Sequence, residues 1–197
     1  MLKKILTIIC LVFTLEGCVL IAGAAIGAGV TGAVIYDKRT AKETEQDKQI
    51  IERIEYKLNS SAAISNNTHI VVTSFYNIVL LAGTTPDQAL KDEVYSITKT
   101  VPGIRKIYNE LEISGSAPPF SSVSDSVIAT KIKTQLIADE ALNSSQIQVV
   151  TVNGNVYLMG KVTQRQADIA TNIVQHVSGV QKVVKAFEYP STAQEWA

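Results

Sequence analysis

Histidines, cysteines and neighbouring carboxylates are the first side chains in this sequence of 197 residues that could carry out covalent, acid–base or metal chemistry. The two histidines, His69 and His176, belong to no HExxH motif and have no cysteine partner nearby. Asp139 and Glu140 form a carboxylate pair, but adjacent residues on a helix do not face one another, so a capping or solvated role is favoured over acid–base catalysis. These residues predict that the protein is not an enzyme and that it binds no metal ion.

The thiol chemistry of the chain is confined to its N-terminus, where both cysteines, Cys10 and Cys18, are found. This position excludes a disulfide framework or a multi-cysteine metal site in the remainder of the chain. Lys3 and Lys4 precede an apolar stretch at residues 5–15 that has the length of a signal-peptide core and is too short to cross a bilayer. We expect residues 1–17 to be a signal peptide that is removed, together with Cys10.

The expected cleavage site is Leu15-Glu16-Gly17-Cys18, which resembles the lipobox of bacterial lipoproteins, although Glu16 departs from the usual small or apolar residue. The resemblance implies that Cys18 is acylated and becomes the first mature residue. Acyl chains contribute about 0.8 kcal/mol per buried methylene, so two or three chains anchor stably. They are the only non-protein group that we expect. Val19 after the cysteine implies delivery to the outer membrane, facing the periplasm. A plain export signal with an incidental cysteine is the alternative.

Residues 18–39 precede the folded part of the chain. Most of this range, residues 19–36, has no charge and is rich in glycine and alanine. Small residues four apart permit close helix contact inside a membrane, so a membrane-embedded or self-associating helix is one interpretation. A flexible apolar tether is the other, and we favour it because each glycine costs a helix about 1 kcal/mol relative to alanine.

The soluble part begins with charged residues and a capping box, Thr40-Ala41-Lys42-Glu43, which predicts a helix to about residue 58. Its apolar face contains Ile50, Ile54 and Leu58. After a polar break at 60–68, residues 70–75 and 78–82 predict a β-hairpin that turns at Tyr76-Asn77. Thr85-Pro86-Asp87-Gln88 predicts a second helix with Thr85 as its N-cap, and residues 104–113 predict a last strand. The predicted order is α, β, β, α, β.

The same order returns about 77 residues later, which indicates an internal repeat. Ile128, Ile132 and Leu136 correspond to the first apolar face, and Asn153-Gly154 provides a two-residue hairpin turn. A capping box at Thr163 and the sequence Val177-Ser178-Gly179-Val180 complete the match. We therefore predict an α+β protein with two tandem αββαβ domains. They comprise residues 40–113 and 124–190, with a glycine- and proline-containing linker at 114–123 and a tail at 191–197.

This repeated unit resembles the BON domain (bacterial OsmY and nodulation), and two such domains after a lipobox resemble dual-BON outer-membrane lipoproteins. The resemblance lies in the stretches at 107–110, 156–160 and 177–180. It also lies in four glycines, at the end of each hairpin and before each last strand: Gly83, Gly160, Gly103 and Gly179. We assign these glycines a mainly structural role, because glycine tolerates the positive φ that turns and strand ends require.

The resemblance implies binding of phospholipid, in particular of anionic phospholipid at the membrane surface, through the first helix of the second domain. It also implies support of envelope integrity and a link to cell division. The matching exposed positions are Val127, Thr130, Lys131, Lys133, Thr134 and Ile137. Val127 and Ile137 fall outside the core stripe. At a membrane surface, aliphatic side chains in such positions would enter the membrane interface while lysines would meet lipid phosphates, with a binding contribution of about 1 kcal/mol per basic residue. A family member has tryptophan, a better interfacial anchor, at the position of Val127.

The first domain lacks a comparable basic face, because Lys48, Arg53 and Lys57 alternate with Glu52 and Glu55. Asymmetric roles for the two domains follow. Lysine plus arginine equals aspartate plus glutamate at 18 each, so no global charge attracts nucleic acid. The rival to lipid binding is a protein-interaction scaffold, in which exposed sheet edges or a helix face recruit envelope-assembly proteins.

Overall fold

The structure of the protein is a computed structural model that describes residues 39–114 and 122–189. The predicted signal peptide, the predicted acylation site Cys18, the apolar segment at 19–36 and the tail at 191–197 lie outside the described residues. Most of the predicted linker, from residue 115 to residue 121, also lies outside them.

The first domain contains the predicted order of helices and strands, with one addition. Its elements are α1 (Ala41–Asn59), α2 (Ala62–Asn67), β1 (His69–Phe75), β2 (Ile78–Thr85), α3 (Gln88–Lys99) and β3 (Lys106–Ile113). The short helix α2 occupies the segment that was expected to be a polar break. Its single buried side chain, Ile64, packs into the core beneath α1, which explains why this polar stretch is helical.

The second domain repeats this arrangement. Its elements are α4 (Ser122–Ala138), a 3-10 turn (Ser144–Gln146), β4 (Ile147–Val152), β5 (Asn155–Lys161), α5 (Gln164–Gln175) and β6 (Lys182–Glu188). Helix α4 begins at Ser122, inside the segment predicted as a linker. The α+β class and the two αββαβ units are confirmed.

Each domain has one three-stranded sheet, in the order β1-β2-β3 or β4-β5-β6. The first two strands of each sheet pair antiparallel and the third pairs parallel with the second, after a helical crossover. Both hairpins have two-residue turns with positive φ, at 52° and 61° for Tyr76 and Asn77 and at 52° and 76° for Asn153 and Gly154. The predicted turn positions are therefore confirmed.

The helix caps agree with the sequence at two of three positions. Thr40 and Thr163 both form complete capping boxes. The prediction that Thr85 caps the next helix is wrong, because Thr85 still pairs with Ile113 as the last residue of β2. Asp87 is the N-cap instead, and its carboxylate accepts a hydrogen bond of 2.8 Å from the Leu90 amide. The extended backbone that the sheet needs at Thr85 delays the helix by two residues.

A separate hydrophobic core lies between the helices and the sheet of each domain. In the first domain Ile50, Ile54 and Leu58 of α1 pack against Val79 and Leu81 of β2. The second domain repeats this contact between α4 and β5, through Ile128, Ile132, Leu136, Val156 and Leu158. Burying one such side chain contributes about 1.5–3 kcal/mol, so these stripes fix which face of each first helix remains outside.

A third core joins the two domains, which the sequence did not predict. It lies between the two sheets, on the faces that point away from the helices. Its largest contributors are Phe75 and Leu80 from the first domain and Val152, Tyr157 and Met159 from the second. The described part of the chain is therefore layered as helices, sheet, sheet and helices, and both faces of β2 and β5 are buried.

Gly83 and Gly160 occupy equivalent positions where two strands approach closely. A Cβ atom would lie 2.0 Å from the His69 carbonyl oxygen at Gly83 and 2.2 Å from the Gln146 carbonyl oxygen at Gly160. Both residues have positive φ, at 121° and 155°. Any side chain at these positions would force the antiparallel pair apart, which accounts for the glycine in each repeat.

Candidate functional site

Helix α4 presents an outer face that combines aliphatic and cationic side chains. Its inner stripe, Ile128, Ile132 and Leu136, is buried in the core of the second domain. Val127 and Ile137 lie outside this stripe and are 50% and 42% exposed, which places them among the most exposed large hydrophobic residues described. The periodicity of the sequence predicts this exposure, and the structure shows it.

Two threonines on this face satisfy their own hydroxyl donors. Thr130 Oγ1 donates to the Ser126 carbonyl oxygen at 2.9 Å, and Thr134 Oγ1 donates to the Thr130 carbonyl oxygen at 3.0 Å. Because these protons are already bonded to the helix backbone, the outer face is less polar than its composition suggests. Transfer of these two side chains to a less polar environment would cost correspondingly little.

Two lysines bring positive charge to the same helix. Lys131 is exposed, and its Nζ atom donates to Ser178 Oγ at 3.0 Å. Lys133 is half-buried. Neither lysine forms an ion pair with a carboxylate among residues 39–114 and 122–189, so their charge is available to an external anion.

The equivalent face of the first domain has the opposite character. When Ile50 of α1 is aligned with Ile128 of α4, the positions that match the predicted site are Gln49, Glu52, Arg53, Glu55, Tyr56 and Asn59. One arginine and two glutamates give α1 a net charge of −1 there, whereas two lysines give α4 a net charge of +2. The two domains share a fold but differ in the surface that they offer to an anion.

A buried aspartate near the start of α4 holds this helix against the sheet. The two carboxylate oxygens of Asp125 accept hydrogen bonds of 2.8 Å each from the amides of Asn153 and Gly154 in the hairpin turn. Asp125 is only 7% exposed. The carboxylate therefore fixes the N-terminal half of α4 relative to the end of the sheet.

Asp47 has the same role in the first domain. Its carboxylate accepts from the amides of Tyr76 and Asn77 at 2.9 and 2.8 Å, and also pairs with Arg39 at 2.6 Å. Neither aspartate was among the site residues predicted from the sequence. Their shared position, three residues before the first isoleucine of each apolar stripe, is the signal that would have revealed them.

The candidate catalytic residues are not brought together. His69 is exposed at the start of β1, and His176 caps the C-terminus of α5 with its Nδ1 atom 2.6 Å from the Asn172 carbonyl oxygen. Asp139 Oδ1 accepts a hydrogen bond of 2.9 Å from the Ala141 amide, which is a turn-capping role. The described residues contain no group of three or more side chains that could hold a metal ion.

A shallow cavity of about 350 Å³ lies at the boundary between the domains, where Arg105 and Glu188 meet. Their ion pair already satisfies both charges. Lys106, which also lines the cavity, donates to Tyr108 Oη at 2.7 Å. The charged groups of this cavity are therefore already engaged with one another and with its aromatic wall.

No helix in the two described ranges is both long enough and apolar enough to cross a membrane.

A family model for the BON domain matches residues 46–115 and 124–191. The chain is similar to Outer membrane lipoprotein DolP of Haemophilus influenzae, with 34% identity over 95% of this chain and 96% of that protein. It is 32% identical to a 21 kDa hemolysin of Actinobacillus pleuropneumoniae, over 78% of this chain and 79% of that protein. It is also 31% identical to Osmotically-inducible protein Y of Escherichia coli, over 59% of this chain and 60% of that protein.

The match to the outer-membrane lipoprotein extends over nearly the full length of both chains, which supports an envelope protein. The two family matches contain the helix, hairpin, crossover helix and parallel strand of each repeat. The chain belongs to the BON domain family and carries two BON domains, one in each half of its described structure.

Proposed function

We propose that this protein is an outer-membrane lipoprotein that faces the periplasm and binds anionic phospholipid through the outer face of α4, thereby supporting the integrity of the cell envelope. The observation that carries the proposal is the presence on one helix of two exposed aliphatic side chains and two lysines that have no carboxylate partner within residues 39–114 and 122–189. This combination suits a helix that lies at a membrane surface.

The spacing of these residues fits a contact along the membrane plane. Val127 and Ile137 are separated by about 15 Å along the helix axis, at 1.5 Å per residue. Lys131 and Lys133 lie between them in sequence. The aliphatic side chains would enter the interface at either end, while the ammonium groups would remain at the level of the lipid phosphates.

The affinity of this face alone should be modest. Each lysine contributes about 1 kcal/mol to binding near an anionic surface. Val127 stands where a family member has tryptophan, and valine is a weaker interfacial anchor. Acylation of Cys18, for example by palmitate, would compensate by keeping the domains at the membrane, which raises the effective concentration of lipid for the helix. Enrichment at the division site would follow where lipid composition directs this contact.

The test uses the full chain with Cys18→Ser, so that no acyl chain contributes to binding. Dihexanoyl phosphatidylglycerol and dihexanoyl phosphatidylcholine are each titrated, and backbone amide shifts are followed by NMR. We expect shifts at residues 127–137 with phosphatidylglycerol, and weaker shifts with phosphatidylcholine. Reversal of both charges, Lys131→Glu with Lys133→Glu, should weaken phosphatidylglycerol binding at least about tenfold.

The matched control is Lys48→Glu with Lys57→Glu, which makes the same change of net charge on α1. It should leave binding unchanged. An equal loss of binding in the control would attribute the effect to overall charge, and absence of shifts in α4 would refute the lipid-binding proposal.

A protein-interaction scaffold is the second candidate, and the sheet topology favours it. Each three-stranded sheet leaves two edge strands, β1 and β3 in one domain and β4 and β6 in the other, whose outer edges suit the addition of an extended peptide. If recruitment of envelope-assembly proteins is the main role, the charge-reversed α4 variant should still restore detergent resistance to cells that lack the protein. Loss of this resistance would favour the lipid contact.

A further inference from the structure

Lys131 makes a contact that joins α4 to a second element of the domain. Its Nζ atom donates to the hydroxyl oxygen of Ser178, which lies in the loop between α5 and β6. This bond uses one N–H of the ammonium group and a lone pair of the hydroxyl. The ammonium group therefore retains two donors and the hydroxyl retains its own, all at an exposed position.

The loop that carries Ser178 is fixed at both ends. The Val180 amide donates to the Val177 carbonyl oxygen at 3.1 Å, which closes a turn around Ser178 and Gly179. Val177 is only 4% exposed and Val180 packs against the core, so neither end of the turn is free to move. Ser178 is thus presented on a rigid support.

Gly179 brings this turn directly against α4. It has a φ of 100°, and a Cβ atom there would lie 2.9 Å from two side-chain atoms of Ile128. Ile128 is one helical turn before Lys131 and belongs to the buried stripe. The close approach sets the distance between the loop and the helix, and with it the position of the hydroxyl beside the ammonium group.

We propose that Lys131 and Ser178 together bind one phosphate group of a phospholipid headgroup, with the ammonium group and the serine hydroxyl donating to its oxygen atoms. This inference rests on the proposed lipid-binding function and adds a residue from outside the helix. A cation and a neutral donor held in place by different elements recognise a phosphate more specifically than a lysine alone, because the positions of both donors are set before binding.

The first domain provides an internal contrast. Arg53 occupies the position of Lys131, but the turn residue that matches Ser178 is Pro102, which has neither a hydroxyl nor an amide proton. The paired donors are therefore specific to the second domain. Their absence from the first agrees with the acidic character of the outer face of α1.

Ser178→Ala tests the proposal in the full chain that carries Cys18→Ser, with dihexanoyl phosphatidylglycerol as the probe. Loss of one hydrogen bond to a charged group should weaken binding by about three- to tenfold. Ser178→Thr, which keeps the hydroxyl, should bind as the parent does. Ser65→Ala, at an exposed serine of the first domain, is the control for loss of a hydroxyl elsewhere and should also leave binding unchanged.

Dihexanoylglycerol, which has the acyl chains but no phosphate, identifies the group that is bound. Its weak association should be the same for the parent and Ser178→Ala. Equal affinity of the parent and Ser178→Ala for phosphatidylglycerol would overturn the phosphate site while leaving lipid binding by α4 intact. A response to inorganic phosphate as large as the response to phosphatidylglycerol would assign the site to free phosphate and would also overturn the proposal. Failure of the parent to bind phosphatidylglycerol would instead refute the proposed function.

Discussion

Arg105, just before β3 of the first domain, forms a two-bonded ion pair with Glu188 at the end of β6 in the second domain. The two side chains are 54% and 27% exposed, so the pair itself contributes at most about 1 kcal/mol to stability. Its geometric effect is larger, because a forked guanidinium group defines the direction of approach as well as the distance. Together with the core between the sheets, it holds the two BON domains in one arrangement.

We expect the two domains to unfold together because they share this core. Met159 is fully buried between the sheets, and Met159→Ala should lower the free energy of unfolding by about 2–5 kcal/mol. Urea denaturation followed by circular dichroism should show one transition at a lower midpoint. Tyr56→Ala, at a side chain that is 76% exposed, is the control and should change stability little. Two separate transitions in the parent protein would contradict the shared-core interpretation.

Alkaline pH should weaken the same interface. Burial, with the nearby carboxylates of Glu112 and Glu110, raises the pKa of Tyr157 from 10.0 to about 12. The folded protein therefore keeps a phenol proton that the unfolded chain releases, so this contribution to stability is complete below pH 10.0 and is lost as the pH rises to about 12. Tyr157→Phe has no such proton. The variant should lose less unfolding free energy than the parent between about pH 10 and about pH 12, and an identical pH profile would show that Tyr157 does not report on the interface.

Substitutions at Gly160 and Gly103 separate the effect of a steric clash from the effect of backbone strain. Gly160→Ala would place a Cβ atom 2.2 Å from a carbonyl oxygen, so it should destabilise the second domain by several kcal/mol, about 3 or more. Gly103→Ala is the matched variant, because it also has positive φ but its nearest neighbour would be 3.8 Å away. Strain alone should cost it about 1–2 kcal/mol. Equal losses of stability for the two variants in thermal denaturation would mean that β4 and β5 move apart around the new Cβ atom at no cost in free energy.

Removal of the carboxylate that clamps α4 should destabilise the second domain. Asp125→Ala leaves the amides of Asn153 and Gly154 without their acceptor, at a cost of about 2–4 kcal/mol. Asp125→Asn keeps one acceptor oxygen and should lose less. The comparison is Asp139→Ala, which removes a single exposed bond to Ala141 and should cost below about 1 kcal/mol. Chemical denaturation of the three variants measures these differences, and a neutral Asp125→Ala would disprove the clamp.

Local sequence patterns predict most of the secondary structure here. Helical periodicity identifies the buried stripes of α1 and α4, and it predicts the exposure of Val127 and Ile137. The positions of the hairpin turns are predicted equally well, because Asn153-Gly154 has the composition that positive φ requires. Repetition of the whole pattern strengthens each individual assignment. The N-cap at Asp87 differs from the prediction because pairing in the sheet keeps Thr85 extended.

Contacts between distant segments are the part that the sequence does not reveal. The run Val79-Leu80-Leu81-Ala82 is apolar on both faces, but this pattern does not identify what covers the second face. Only the structure shows that β2 and β5 cover each other's sheets. The hydrogen bond between Lys131 and Ser178 is hidden for the same reason, because the two residues are 47 positions apart.

The layered arrangement gives the described molecule two outer sides, one formed by the helices of the first domain and the other by the helices of the second. Because the sheets lie back to back, the helices of the first domain and those of the second face in opposite directions. A bilayer that meets α4 therefore leaves α1, with its glutamates and the exposed ring of Tyr56, directed away from the membrane. Orientation at a membrane would then follow from the charge difference between the outer faces of the two first helices, which makes two domains of one fold into a directional pair.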